Sequence, residues 1–221
     1  MLTLLLALAV LSPPACAPEF APLETGSFSF ASHVPFWRKA EAGAWGGAGW
    51  LGWTSNRDEL RAVRLVVRNR PKQEEDDEAF VTVEAVPRVT FAIRCVTGVR
   101  ARSIQRASVT EIALLTKRSA TISLGSREYA LKLESAQESM SDAKVILTEG
   151  NRTQVLYSAD GFADDPHFDV YWAGDLDGDG KLDLVVDFSR KYSVLSYRLL
   201  LSTRARPGQL VGDAALFQME N

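Results

Sequence analysis

Between residues 59 and 202 the chain is divided into short segments in which apolar and polar side chains alternate, and this alternation restricts its possible folds more than any other feature. In "EYALKLE", residues 128–134, Tyr129, Leu131 and Leu133 alternate with Ala130, Lys132 and Glu134. A period of two sends successive side chains to opposite faces of an extended strand, so one face of each segment is suited to burial. "ELRAVRLVVRN", "AFVTVEAV", "VTFAIRCVTG", "ATISLG", "KVILTE", "TQVLYSA", "FDVYWAG", "LDLVVDFS" and "YRLLLS" are similarly short, rich in Val, Ile, Leu, Thr and aromatics, and bounded by turn residues. Gly125-Ser126-Arg127 and Gly150-Asn151 offer residues that tolerate positive φ between consecutive segments, which predicts two hairpins and antiparallel neighbours. The expected fold is all-β and mainly antiparallel: a sandwich, a barrel or a partial-blade sheet. At most one short helix is expected, in "ASVTEIALLTKRS", where another strand is an equal alternative.

The chain has 221 residues, 46% of them hydrophobic, enough to bury a core as one domain or two small ones. The organisation expected is a signal over residues 1–17, an aromatic and glycine-rich segment over 18–55, and a β-rich domain over 56–221. With 25 basic against 28 acidic residues, the net charge of -3 lacks the basic excess of a nucleic-acid binder. Electrostatic function must be local.

"LTLLLALAVL", residues 2–11, has the length of a signal-peptide core and about half the length needed to cross a bilayer. Pro13-Pro14 ends it, and Ala15-Cys16-Ala17 places small residues where a signal peptidase requires them. The expectation is secretion or export to the periplasm. The alternative cut, before Cys16, would leave that thiol available for lipidation, and a lipid anchor would be the protein's only membrane contact. If the cut falls after Ala17, Cys95 is the one thiol left, with no internal disulfide. Its position on the same strand face as Phe91 and Ile93 then predicts a buried, inert side chain.

Residues 26–56 gather Trp37, Trp45, Trp50 and Trp53 among glycines. Aromatic faces give large contact area at low entropic cost, so these four are candidates for binding a saccharide or a peptide; packing into the core is the competing reading. Gly47, Gly49 and Gly52 formally make GxGxxG, but no apolar strand leads into it and no good helix follows, as a dinucleotide site would require.

The densest chemistry lies in "DLDGDGKLD", residues 175–183. From Asp160 to Asp187 there are nine aspartates against one lysine, an acidity far above the chain average. A hard cation such as Ca²⁺ takes six to eight oxygen ligands, and carboxylates at alternate positions of a tightly curved loop supply them. Asp175, Asp177, Asp179 and Asp183 are the candidate carboxylate ligands, the Lys181 carbonyl a further donor, and Gly178 and Gly180 the bending points. An EF-hand would need a glutamate at position 12 between two helices, whereas Val186 stands there and both flanks read as strands.

A strand, a DxDGDGxxDL loop and a second strand resemble the FG-GAP or VCBS repeat, the calcium-loop unit of integrin-type β-propellers. The resemblance covers about residues 168–202, with its core at Gly174–Leu184. It implies that Asp175, Asp177, Asp179 and Asp183 bind Ca²⁺ and stabilise the local sheet. It does not imply a propeller, which needs several blades. "WAGDLDGDGKLDLVVDFS" also looks like small exported bacterial proteins carrying one such motif.

His33 and His167 are the only histidines, and neither GxSxG nor a cysteine-protease signature occurs, so no catalytic residue is assigned. The expectation is an exported, calcium-stabilised binding module acting on a protein or saccharide at the cell envelope. The alternatives are a calcium-dependent hydrolase of an extracellular polymer or ester, and an inhibitor or immunity-type protein.

Overall fold

The computed structural model describes residues 17–22, 37–38, 45–54, 56–69, 78–83, 89–159, 161 and 163–220. Their named strands pair antiparallel throughout, in three sheets. The first contains β1 (Glu19–Pro22), β2 (Trp37–Arg38), β3 (Gly47–Thr54), β4 (Glu59–Asn69), β5 (Glu78–Val83) and β6 (Val89–Arg94), in the order β1-β6-β3-β4-β5-β2. The short β7 (Arg102–Ser103) also pairs with β4. A second sheet is formed by β8 (Gln105–Arg106), β14 (Asp169–Asp175), β15 (Asp183–Asp187), β16 (Val194–Leu201) and β17 (Gly212–Glu220), in the order β17-β16-β15-β14-β8. The third runs β13-β12-β11-β10-β9, from β9 (Ser108–Val109), β10 (Ser119–Leu124), β11 (Arg127–Glu134), β12 (Lys144–Glu149) and β13 (Arg152–Ser158).

The second sheet is the middle layer. Val185, Leu199 and Leu201 face the first sheet in a core with Phe20, Trp50, Trp53 and Phe91. Leu184, Val186 and Leu200 face the third sheet in a separate core with Ile122, Leu131, Val145 and Leu147. All five residues of β15 are buried, which is why "LDLVVDF" is a nearly continuous apolar run, whereas β11, with one face in solvent, strictly alternates. Both expected hairpins form: Leu124 pairs with Arg127, and Glu149 with Arg152. Gly125 and Gly150 lead their two-residue turns at φ 59° and 58°, where a side chain would be strained. The segment that allowed helix or strand contains both, β9 followed by a one-turn helix, α1 (Leu114–Lys117).

The glycine-rich stretch became β3, hydrogen-bonded to β4 on one side and β6 on the other. A Cβ on Gly52 would lie 2.7 Å from a Val89 methyl and 2.9 Å from a Val63 methyl. Close strand packing, rather than phosphate binding, explains that glycine.

Cys95 departs from expectation. It is disulfide-bonded instead of carrying a free thiol, and its backbone turns to φ 60° just past β6. The sequence holds one other cysteine, Cys16, which lies outside the described residues together with residues 1–15 of the expected signal.

Candidate metal centre

The acidic loop closes the hairpin between β14 and β15, whose last paired residues are Gly174 and Asp183. Leu176 and Leu182 are fully buried and hold both ends of the loop to the core, leaving residues 177–181 to curve at the edge. Gly178 and Gly180 take φ 88° and 76°, which an L side chain rarely adopts. The guanidinium of Arg102, on β7 of the first sheet, lies against Gly178, where an added Cβ would fall 1.2 Å from Nη1 and this flexible side-chain end would have to swing aside.

Asp175, Asp177 and Asp183 converge, with one carboxylate oxygen from each lying within 4.8 Å of the others. Oxygens on opposite sides of a Ca²⁺ ion, each 2.3–2.6 Å from it, are about 4.6–5.2 Å apart. The three therefore fit around one such cation. Backbone amides organise them. Asp175 accepts from the N–H groups of Gly178 at 2.6 Å and Gly180 at 3.1 Å. Asp183 Oδ2 accepts from Leu176 at 2.7 Å and Asp177 at 3.2 Å, and its Oδ1 from Ser202 at 2.8 Å.

Asp183 has no exposed surface, and its carboxyl is pushed up to about 7. Burial is the main cause and the neighbouring Asp177 charge adds to it, against the pull of the three amides. A carboxylate this deep is costly to hold ionised unless a positive charge compensates it.

Asp179 is the exception to the expected ligand set. Its Oδ1 accepts from the Lys181 amide at 2.9 Å, and its Oδ2 accepts from the Ser202 hydroxyl at 2.7 Å and lies 3.4 Å from the Lys181 ammonium. Partial burial would raise its pKa, but these partners outweigh burial and hold the carboxyl below its ordinary range. It braces the loop from outside the converging triad. The Lys181 side chain is likewise occupied with Asp179.

Ser202 and Thr203 were not legible as part of this site. They open a 3₁₀ turn (Ser202–Arg204) after β16, and the Thr203 hydroxyl donates to Asp177 Oδ2. They lie some twenty residues beyond the loop with no motif to mark them; only the antiparallel return of β16 alongside β15 brings them close.

The proposed tryptophan platform is not present as an exposed face. Trp50 and Trp53 are 1% and 3% exposed, stacked on Trp45 and Phe91 respectively. Arg94, 4.6 Å over the Trp50 ring and ion-paired with Glu19, covers the remaining approach. The odd spacing of Trp50 and Trp53 along β3 would send them to opposite faces by simple alternation, yet both rings lie in the core, where aromatic area is worth most. Trp45 packs partly buried against the same core, and the side chain of Trp37 lies outside the described residues.

At the far end of the hairpin, Asp169 and Asp187 are directly cross-strand. Burial raises both, Asp187 to about 6, although the Ser189 amide and hydroxyl bonded to its Oδ1 oppose the shift. No family model, no curated protein and no solved structure matches this chain.

Proposed function

We infer that residues 175–183 bind one Ca²⁺ ion and that the ion braces an exported, all-β module that works by binding rather than by catalysis. The observation that carries this reading is Asp183, a fully buried carboxylate facing Asp175 and Asp177. Oxygen donors alone favour a hard cation, and three carboxylate oxygens within 4.8 Å of one another are compatible with the 2.3–2.6 Å bonds of Ca²⁺. Asp175, Asp177 and Asp183 are the direct ligands; the Lys181 carbonyl and solvent complete the shell, and Asp179 acts through Ser202. The strand-loop-strand context agrees with the FG-GAP or VCBS resemblance and with an ion that is structural. The signal-like amino terminus supports a location outside the cytoplasm, where calcium is plentiful, with a protein or saccharide of the cell envelope as the partner.

Calorimetric titration of metal-free protein tests the reading. One Ca²⁺ per chain should bind, with Mg²⁺ much weaker, and calcium at a hundred times its Kd should add about 2.7 kcal/mol to stability. No calcium heat, together with a melting temperature indifferent to EGTA, would sink the proposal.

A further inference from the structure

We propose that the cavity at the 3₁₀ turn Ser202–Arg204 is an oxyanion-binding site whose arginines are positioned by the metal centre; the positioning, though not the cavity, rests on the calcium reading. The cavity has a volume of about 260 Å³ and lies where β13 of the third sheet faces residues 204–213. Gln154, Leu156, Arg204, Arg206, Gln209 and Val211 contribute to its lining.

Its walls are already built. The Gln154 side chain donates to the Val211 carbonyl at 2.9 Å and accepts from the amides of Leu210 at 2.6 Å and Val211 at 3.1 Å. Arg152 donates to the Gln209 carbonyl at 2.7 Å. Arg206-Pro207-Gly208-Gln209 is a turn closed by the Gln209 amide on the Arg206 carbonyl at 2.9 Å, with Gly208 at φ 88°, the pattern of a type II turn. A Cβ on Gly212 would fall 2.1 Å from the Arg204 carbonyl oxygen, so the start of β17 packs directly on the 3₁₀ turn.

Charge is the one property left unmatched. Among the described residues neither Arg204 nor Arg206 has an ion pair. The acid at the cavity, Asp213, has a side chain 73% exposed and lies 3.9 Å from Arg198; Arg152 pairs with Glu149. Arg204 and Arg206 are exposed residues of this cavity's rim, and two guanidinium groups able to fold over a polar, hydrogen-bonded cavity make a receptor for a carboxylate or sulfate, because a planar fork of N–H donors matches two oxygens of such an anion.

The metal centre reaches the cavity through three residues. Ser202 and Thr203 donate to Asp183, Asp179 and Asp177, and Arg204 completes the same turn. Removing the cation leaves repelling carboxylates beneath that turn, which loosens the base from which Arg204 extends.

The test is titration of the full chain with glucuronate, inorganic sulfate and glucose, in calcium and in EGTA, on wild type and Arg204→Gln/Arg206→Gln, with calcium affinity measured separately on both proteins. Expected are saturable binding of the two anions, none of glucose, at least about tenfold weaker anion binding in the double variant at unchanged calcium affinity, and weaker anion binding in EGTA. Glucuronate well above sulfate assigns the site to an acidic saccharide, whereas equal affinities assign it to free anions. Glucose binding equally, or a double variant that binds anions like wild type, overturns the site and leaves the calcium reading intact. Calcium binding with anion affinity unchanged by EGTA overturns the coupling alone. Absence of calcium binding in wild type overturns the metal reading, while arginine-dependent anion binding would then still support the cavity.

Discussion

Replacing Asp177 with asparagine should have opposite effects on stability with and without calcium, and the structure sets the scale. In the ion-free protein Asp183 is raised from 3.8 to about 7 and Asp187 from 3.8 to about 6. Both hold their protons more tightly folded than unfolded, so their stabilising contribution is full below about pH 4 and is lost as pH rises through about 6 to 7. At ~1.4 kcal/mol per tenfold change in proton affinity, the Asp183 shift is on the order of 4 kcal/mol by pH 8. Calcium should remove the Asp183 part of that decline, because the bound ion favours the carboxylate, and leave the Asp187 part. Asp177 is the nearby charge that helps raise Asp183. Without calcium, Asp177→Asn should therefore be more stable than wild type at about pH 8 and close to it at about pH 4, while losing most of the calcium-induced gain. Urea denaturation of metal-free and calcium-loaded protein across this range reads every quantity. If wild type gives the same pH profile with and without calcium, or metal-free Asp177→Asn is the weaker protein at every pH, the electrostatic reasoning is wrong.

Other expectations follow from single contacts. Gly178→Ala and Gly180→Ala should each destabilise by about 1–3 kcal/mol, since both glycines hold positive φ and the Arg102 guanidinium beside Gly178 is a flexible end that can swing aside; wild-type denaturation midpoints for both would contradict this. Trp50→Ala should cost about 3–5 kcal/mol as a core cavity and leave calcium affinity unchanged, whereas a loss of partner binding at unchanged stability would restore the platform reading. The disulfide at Cys95 predicts that a thiol-alkylating probe labels this residue in the denatured chain only after reduction; labelling of Cys95 without reductant would contradict it.

The sequence by itself determined the all-β class, the two glycine-led hairpins and the place of the acidic loop, because each rests on neighbours a few residues apart: side-chain alternation, positive-φ turns and carboxylates spaced by two. Tertiary structure decided whatever depended on distant strands. Trp50 and Trp53 stand an odd number of positions apart on β3, so alternation gives them no common face, and only the packing of the first sheet on the middle one makes both core residues instead of a binding surface. Four aspartates look equivalent along the loop, but the turn after β16 takes Asp179 for Ser202 and seals Asp183 from solvent. The arginines of the neighbouring cavity had no local signature either. Gln154, Gly212 and the 3₁₀ turn meet there across two sheets, and a contact between residues more than fifty positions apart leaves no period or motif in the chain.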